Sequence, residues 1–291
     1  MRLAEIIGNT PLIETNLSVN SKVRIFAKLE GNNPGGSVKD RAALGMIQCA
    51  IKRGELSKGS KIVEATSGNT GIALALIGSQ LGIKVTLIMP DSATIERQKT
   101  MRAYGATLIL TPAAKSITYS RDLARDMANN QGYVMLNQFG NEDNPGMHYK
   151  TTGPEIWKDT KGKITHFVSA MGTTGTIMGV SKYLKEQNQD ITIVGCHPKD
   201  GSKIPGIRKW EPEHLPTFYD VNRVDQISYV SAENAKIMAR TMASAEGIFA
   251  GMSSGGAMHA AVQLSKEIKE GIIVTIVCDR GDRYLSSDLY Q

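Results

Sequence analysis

One lysine in this sequence stands where an amine could act as a nucleophile. Lys39 follows the turn-forming segment 33–36 and lies at the start of a predicted helix, after Ser37. Proline and glycine favour tight turns, and serine is a good residue to begin a helix. The positive end of the helix dipole disfavours an ammonium there, so Lys39 could form a Schiff base with a carbonyl. Taken alone, however, this position is more typical of a solvated lysine.

Three other segments place small hydroxyl residues and glycines at the start of a predicted helix. They are segments 65–71, 172–176 and 251–256. Backbone N–H groups at a helix N-terminus bind anions such as phosphate, although helix capping alone also favours serine and threonine. Segment 172–176 has neither the GxGxxG order of a dinucleotide site nor the Gly-Lys ending of a P-loop, so it indicates a short phosphate cradle. For segment 65–71 both interpretations stay open.

The composition excludes several classes of function. The chain has 291 residues, 41% of them hydrophobic and 21% charged, as is typical of a globular protein with one large domain or two lobes. The net charge of +6 is scattered and aromatic residues make up only 5%, which favours small anions over nucleic acid. Three widely spaced cysteines and five histidines show no disulfide or metal-ligand pattern. Without an apolar signal or membrane segment, the protein is predicted to be cytoplasmic.

Apolar runs of strand length alternate with helix-length periodic segments along most of the chain. The predicted strands are 23–29, 61–65, 85–89, 107–110, 133–136, 164–169, 191–196 and 272–277. The predicted helices begin near residue 42 and cover 70–81, 94–104, 116–129, 176–187, 232–245 and 256–269. This alternation predicts an α/β fold with two doubly wound, mainly parallel-sheet lobes that face a central cleft. We expect a smaller, mobile N-terminal lobe (36–143) and a larger lobe formed by 1–35 and 144–291.

These motifs carry a family resemblance over nearly the full length. The chain resembles the β-family, or fold type II, pyridoxal-phosphate enzymes, and within it the cysteine synthases (O-acetylserine sulfhydrylases). The matching segments are 7–12 (IGNTPL), 28–34 (KLEGNNP), 37–41 (SVKDR), 65–71 (ATSGNTG), 172–176 (GTTGT) and 251–256 (GMSSGG). Segments 30–34, 205–210 and 278–284 look like those of the B-type isoform. The resemblance implies one catalytic unit that binds pyridoxal 5′-phosphate in the cleft.

The resemblance also implies a role for individual residues. Lys39 would carry the cofactor as a Schiff base, Asn69 would hydrogen-bond its phenolic oxygen, and Ser253 would face its ring nitrogen, with Ser254 as the alternative. The phosphate would be held by Gly172, Thr173, Thr174, Gly175 and Thr176. The substrate carboxylate would be bound by Thr66, Ser67, Thr70 and Gln138.

The activity implied is the synthesis of L-cysteine from O-acetylserine and sulfide, by a homodimer. A neutral hydroxyl at the ring nitrogen favours β-elimination and replacement over transamination. B-type members suggest thiosulfate as a second donor, which would yield S-sulfocysteine. Arg208 is the candidate for its sulfonate, with Cys278 and Asp279 at the same mouth and Asp279 holding the arginine. The alternative to a role in binding is that Arg208 is a charged surface residue and Cys278 a small residue of the core.

Two kinds of alternative stay open from the sequence. Another enzyme of the same fold could use homocysteine, as cystathionine β-synthase does, or no nucleophile, as serine and threonine dehydratases do. The chain ends at Gln291, so we expect no appended regulatory domain. The alternative from another class is a noncatalytic ligand-binding module, against which the presence of Lys39, Asn69 and Ser253 argues.

Overall fold

The computed structural model describes residues 3–291, so the first two residues of the predicted larger lobe lie outside the described part of the chain. The strands are β1 (Leu12–Thr15), β2 (Val23–Leu29), β3 (Lys61–Ala65), β4 (Lys84–Pro90), β5 (Thr107–Thr111), β6 (His166–Ala170), β7 (Thr192–Pro198), β8 (Gln226–Val230) and β9 (Gly271–Val277). The helices are α1 (Lys39–Lys52), α2 (Asn69–Leu81), α3 (Ile95–Ala103), α4 (Ser116–Asn130), α5 (Asp143–Lys150), α6 (Thr152–Asp159), α7 (Gly175–Gln187), α8 (Ala232–Glu246) and α9 (Met252–Glu267).

The strands form two sheets. The larger sheet has the order β1-β2-β9-β6-β7-β8 and the smaller has the order β3-β4-β5. The paired strands run parallel except β1, which is antiparallel to β2. The structure therefore confirms the predicted α/β fold with two mainly parallel sheets. The mobility of residues 36–143 as one lobe stays a prediction.

Both faces of each sheet are covered, which explains why the strands are apolar throughout. In β9, Ile273 packs with α8 and α9, whereas the next residue, Val274, packs on the other face with α6 and α7. In β3, Ile62 packs with α1 and α2, and Val63 faces α4. All four side chains are 0% exposed. Because successive strand residues point to opposite faces, covering both faces requires a continuous apolar run.

The predicted strand 133–136 is wrong, because this segment makes only a single bridge, between Val134 and Ile62. The backbone leaves the sheet at Asn137, which has a positive φ of 54°. The N–H of Asn137 donates to the carboxylate of Glu64 at 3.1 Å, and not to a neighbouring strand. A side chain thus takes the hydrogen bond that would have continued the ladder.

The predicted start of the last helix, at residue 256, is wrong, and the apolar pattern also places the start of the first helix three residues late, near residue 42. Helix α1 begins at Lys39, which confirms the predicted position of the lysine in its first turn. The side chain of Val38, the residue before it, provides no cap, and Ser37 Oγ accepts the Lys39 N–H at 3.3 Å. Helix α9 begins at Met252, so the serine-glycine segment forms its first turn. A side chain at Gly255 would lie 2.1 Å from the carbonyl oxygen of Ala235, so this turn packs against α8 without a Cβ.

The segment between residues 143 and 159, for which the sequence pattern predicts no helix, contains helices α5 and α6. Strands β1 and β8 were not predicted either. Both are edge strands, and short edge strands show the weakest hydrophobic pattern. Among the helices of residues 3–291, none combines the length and apolar character that crossing a membrane requires.

Candidate active site

A cavity lies where the loops that follow several parallel strands meet. The loops after β3 and β6, the segment 205–208 and the first turn of α9 all contribute to it. In open α/β sheets, ligands bind in such a crevice beyond the carboxyl ends of the strands. The predicted site residues that line it are Lys39, Thr66, Ser67, Asn69, Thr70, Gln138, Gly172, Thr173, Thr174, Thr176, Arg208 and Ser253. Gly175 does not line the cavity.

Lys39 is held at the cavity by the backbone around it. The N–H of Val38 donates to the carbonyl of Cys278 at 2.8 Å, which ties the start of α1 to the segment after β9. Asp40 Oδ2 accepts the N–H of Gly35 at 2.5 Å, closing the turn before the lysine. Burial raises the pKa of Asp40 to about 7. A Cβ at Gly35 would lie 2.5 Å from Asp40 Oδ1, so this turn requires glycine.

A cluster of buried charges lies behind Lys39, on the side away from the cavity. The guanidinium of Arg41 pairs with Glu30 at 2.7 Å and with Glu155 at 2.6 Å, and Lys28 pairs with Glu155 at 2.9 Å. Burial alone would raise the pKa of Glu155, but the hydrogen bonds and charges of Arg41 and Lys28 outweigh it and lower the pKa to about 2. These four side chains are defined here as the buried ion cluster.

The loop between β3 and α2 brings together residues that were predicted to bind a carboxylate. Thr70 Oγ1 donates to Gln138 Oε1 at 2.6 Å, and both side chains are buried. Asn144 donates to the backbone carbonyl of Gln138 at 2.8 Å and so holds the second loop in place. No side chain caps the N-terminus of α2, which leaves backbone donors for an anion.

Asn69 connects the start of α2 with the segment that follows β9. Its Nδ2 donates to Asp279 at 2.7 Å, and its Oδ1 accepts from Arg283. Asp279 also accepts the hydroxyl of Tyr284 at 2.7 Å. The expectation that Asp279 holds Arg208 is therefore wrong, because this carboxylate is engaged with Asn69 and Tyr284 and no ion pair joins it to Arg208 among the described residues.

The segment 172–176 forms the N-terminus of α7. Thr174 has a positive φ of 67°, which is uncommon for a residue with a side chain and typical of functional turns. Its buried Oγ1 has no hydrogen-bond partner among the described residues and does not cap α7, although Thr173 Oγ1 accepts the N–H of Gly175 at 3.3 Å. A Cβ at Gly172 would lie 2.6 Å from the carbonyl of Gly206. A helix start with free donors and a buried, unsatisfied hydroxyl is suited to an anion.

His148 lies behind this loop, and the sequence did not indicate it. Its Nε2 lies 3.3 Å from Thr176 Oγ1, and its Nδ1 lies 2.8 Å from Thr152 Oγ1. Burial, together with the charge of Arg41, lowers the pKa of His148 to about 3, so the ring is neutral near pH 7. His148 lies in α5 and Thr152 begins α6, so this contact is local in sequence, whereas the contact with Thr176 spans 28 residues.

The two serines of α9 have different surroundings. Ser254 is 0% exposed, and its Oγ accepts the N–H of Cys278 at 2.8 Å. Ser253 lines the cavity, and Ser254 does not. Cys278 also lines the cavity, and burial raises the pKa of its thiol to about 11, so the thiol stays protonated near pH 7. The geometry therefore favours Ser253 over Ser254 for a role toward a ligand.

Three guanidiniums line the cavity, of which the sequence indicated only Arg208. Arg97 lies over the ring of Tyr284 at 5.2 Å, and Arg121 lies over the ring of Phe139 at 4.7 Å. No aspartate or glutamate lines the cavity among the described residues. The site therefore carries a positive field that suits anionic ligands.

The chain matches the profile of the family described as "Pyridoxal-phosphate dependent enzyme" over residues 3–279. It belongs to this family. It is 53% identical over 290 residues to cysteine synthase B of Pseudomonas aeruginosa, covering 99% of this chain and 97% of the relative. Identity to cysteine synthase B of Escherichia coli is 51% over 289 residues, with 99% and 95% covered.

Solved structures of related enzymes share the fold. A cysteine synthase (OASS) from Entamoeba histolytica superposes with a TM-score of 0.94 at 39% identity, covering 99% of this chain and 90% of that one. An O-ureido-L-serine synthase also gives a TM-score of 0.94, at 33% identity, with 99% and 94% covered. The fold is that of a fold type II pyridoxal-phosphate enzyme.

The residues of the cavity fit the cofactor of this family. An amine at Lys39 and an uncapped helix N-terminus at 172–176 face one space, and the buried hydroxyl of Thr174 lacks a partner that a phosphate oxygen would supply. No carboxylate lines this space to repel a phosphate, among the residues described. The family and the donor set agree on pyridoxal phosphate as the cofactor.

Proposed function

We propose that this protein is a cysteine synthase that makes L-cysteine and acetate from O-acetylserine and sulfide. The observation that carries the proposal is the convergence on one cavity of Lys39, the uncapped start of α7 and the Thr70–Gln138 pair. Its relatives in Pseudomonas aeruginosa and Escherichia coli, more than half identical in sequence, are named cysteine synthase B.

In this proposal the cofactor is held by residues of both sides of the cavity. Lys39 would hold the cofactor through its aldehyde carbon, Asn69 would donate to its ring oxygen, and Ser253 would face its ring nitrogen. The phosphate is bound by Gly172, Thr173, Thr174, Gly175 and Thr176. Gly175 has no side chain and would contribute through its backbone. A Cβ at this position would lie 2.2 Å from Asn144 Oδ1, so the position requires glycine. When bound, pyridoxal phosphate supplies an electron sink for the substrate carbon that carries the amino group.

The protein moves one proton and positions the substrate. The substrate carboxylate lies at the start of α2, where Thr66, Ser67, Thr70 and Gln138 bind it. The amine of Lys39 removes the Cα proton as a general base and later returns it. Acetate leaves with the electron pair of the Cβ–O bond, and hydrosulfide supplies the electron pair of the new Cβ–S bond. The sum is O-acetylserine and hydrogen sulfide giving cysteine and acetic acid.

Thiosulfate is a second sulfur donor in this proposal, with S-sulfocysteine as the product. Arg208 lines the mouth of the cavity, and burial, together with the charge of Arg121, lowers its pKa. Its guanidinium has no carboxylate partner among the described residues, unlike the neighbouring Lys209, which pairs with Asp200 at 2.7 Å. A guanidinium that is free of internal partners can bind the oxyanion of a sulfonate.

The test is a steady-state comparison with the purified holoenzyme. O-acetylserine, O-phosphoserine and serine are each combined with sulfide, thiosulfate and homocysteine, and products are identified by mass spectrometry. We expect O-acetylserine with sulfide to have the highest kcat/KM. Arg208→Ala should lower kcat/KM for thiosulfate about tenfold, or about 1.4 kcal/mol, and leave sulfide unchanged. Lys209→Ala is the matched control.

Rival functions predict different products. A preference for homocysteine would make the protein a cystathionine β-synthase, an activity named for a related structure from Helicobacter pylori at 34% identity. Release of pyruvate from serine without a sulfur donor would indicate a dehydratase. A protein that binds the cofactor and turns over no amino acid would be a noncatalytic module. Equal losses with both donors in Arg208→Ala would assign Arg208 to folding.

The assembly and the location are part of the same proposal. We infer a homodimer from the resemblance to the family, and a cytoplasmic location from three cysteines that form no disulfide in the structure. Sedimentation velocity of the holoenzyme would measure the mass of the assembly. A sedimenting species of about 31.5 kDa, the mass of one chain, would contradict the homodimer.

A further inference from the structure

The mouth of the cavity contains two guanidiniums on one aromatic ring. The guanidinium carbon of Arg121 lies 4.7 Å from the centroid of the Phe139 ring, and that of Arg208 lies 5.6 Å from the same centroid. Arg208 also lies 5.4 Å from the ring of Trp210, which meets Phe139 edge to face. The two arginines, called the arginine pair below, therefore share Phe139 as a neighbour.

The arginine pair comes from opposite sides of the cavity. Arg121 belongs to α4, which packs on the smaller sheet, whereas Arg208 lies in the segment between β7 and β8 of the larger sheet. The backbone N–H of Arg208 donates to the carbonyl of Met171 at 2.8 Å, next to the loop that begins α7. A ligand between these two arginines would touch both parts of the molecule.

Within the described part of the chain, neither member of the arginine pair has a carboxylate partner. Across residues 3–291, no ion pair involves Arg121 or Arg208, whereas Arg125, one turn further along α4, pairs with Asp122 at 3.5 Å. Burial raises the pKa of the Glu64 carboxyl to about 7 and outweighs the charge of Arg121, which lowers that pKa. Two like charges at one ring repel each other unless an anion lies with them.

The third guanidinium of the cavity is arranged differently. Arg97 lies over the ring of Tyr284 at 5.2 Å and shares no aromatic contact with the arginine pair. Lys39 is assigned to the cofactor in the proposed function. Arg97 has no ion pair among the described residues either, but the two guanidiniums that share one ring at the mouth are those of Arg121 and Arg208.

We propose that Arg121 and Arg208 bind one tetrahedral dianionic group of a substrate between them, and that Arg121 is a specificity-determining residue. This inference rests on the proposed function and adds a residue that the sequence did not indicate. Two guanidinium forks offer more donors to a tetrahedral oxyanion than one, and the rings of Phe139 and Trp210 stabilise them through cation–π contacts. The dianion can arrive on the sulfur donor, as in thiosulfate, or on the leaving group, as in O-phosphoserine.

The first experiment measures kcat/KM for Arg121→Gln holoenzyme. We expect a loss of about tenfold with the substrate that carries the dianion and a change of less than about twofold for O-acetylserine with sulfide. A loss confined to thiosulfate places the group on the donor, and one confined to O-phosphoserine places it on the leaving group. Arg125→Gln, on the same helix and exposed to solvent, is the control and should change none of these values.

The second experiment measures binding without turnover. The chain has two tryptophans, so a Trp157→Phe background leaves Trp210, which contacts Arg208, as the fluorescent reporter. Inorganic sulfate is titrated into this holoenzyme at constant ionic strength maintained with chloride. We expect a saturable fluorescence change whose Kd rises about tenfold in Arg121→Gln and is unchanged in Arg125→Gln. Arg121→Lys, which keeps the charge and loses the fork, should lie between the two.

Several results would overturn the inference. They are equal losses in Arg121→Gln with all substrates, no saturable sulfate response in the parent, or a response that Arg121→Gln leaves unchanged. Loss of bound cofactor from Arg121→Gln on dialysis, followed by absorbance, would assign the pair to the cofactor phosphate and also overturn it. If the parent makes no cysteine but its sulfate binding depends on Arg121, the proposed function fails and the anion site stands.

Discussion

Two groups of arginines in this protein stand in opposite electrostatic situations. In the buried ion cluster, Arg41 is 0% exposed and bonds to the carboxylates of Glu30 and Glu155. At the cavity mouth, Arg121 and Arg208 have no carboxylate partner among the described residues. A buried charge without a partner is strongly destabilising, so the loss of one member of the cluster should lower the stability of the fold. The mouth is open to solvent, so the charges of Arg121 and Arg208 can stay unpaired until a ligand binds.

This difference separates residues that maintain the fold from residues that serve the reaction. Lys39 and Arg41 are two positions apart in α1, yet Lys39 lines the cavity and Arg41 lies in the buried ion cluster. Substitutions on the cavity side should change activity with little effect on stability. Substitutions on the cluster side should do the reverse.

The largest expected effect is on the cavity side. Lys39→Ala should lower kcat for cysteine formation by roughly ten-thousandfold or more, because the Schiff base and the general base are lost together. The melting temperature should stay close to that of the parent. Lys52→Ala, at the exposed end of the same helix, is the control and should keep full activity. A Lys39→Ala enzyme with near-parental turnover would refute the assignment.

The next effect lies in the buried ion cluster. Glu30→Gln should lower the free energy of unfolding by about 3–5 kcal/mol, because it removes one carboxylate from a fully buried guanidinium. Urea denaturation of the holoenzyme, followed by circular dichroism, would measure it. Glu14→Gln breaks the exposed pair with Arg24, 2.6 Å apart, and should leave the free energy unchanged within error. Equal effects of the two substitutions would show that burial does not distinguish these pairs.

The pH dependence of stability should report the burial of His148. Its folded pKa of about 3 lies below the unfolded value of 6.5, so the unfolded chain takes up a proton first as the pH falls. The contribution of His148 to stability therefore decreases from pH 6.5 downward, whereas Asp40 and Glu64, whose folded pKa values of about 7 lie above the unfolded values, contribute in the opposite direction. His148→Gln should remove the His148 contribution, and so change the slope of stability against pH by up to about 1.4 kcal/mol per pH unit between pH 6 and 5. His214→Gln, at an exposed position, is the control, and an unchanged slope in His148→Gln would contradict the prediction.

The smallest expected effect distinguishes the two serines of α9. Ser254→Ala removes the acceptor of the Cys278 N–H and should cost about 1–2 kcal/mol of stability with little change in the spectrum of the bound cofactor. Ser253→Ala should shift that spectrum and leave stability almost unchanged. Thermal unfolding and absorbance of the two variants side by side would measure this. A larger spectral change in Ser254→Ala would reverse the assignment.

Much of this protein follows from its sequence alone. The apolar runs predicted strands β2, β3 and β9 almost to the residue, because covering both faces of a sheet leaves a continuous signal. The family motifs predicted residues that the fold brings to one cavity, since each motif directly follows or precedes a regular element. Those local patterns were sufficient to predict the fold class, the cofactor and the candidate lysine.

Tertiary structure alone decided the contacts between distant segments. The sequence left Ser253 and Ser254 as alternatives, and the hydrogen bond from Cys278, 24 residues away, separated them. It offered Asp279 as a partner for Arg208, whereas the fold places that carboxylate on Asn69, 210 residues away. No local pattern indicated Arg121, because its proposed role depends on the ring of Phe139 and the guanidinium of Arg208, which come from other parts of the chain. Periodicity is encoded locally, but pairing of charges and hydroxyls is set by which segments pack together.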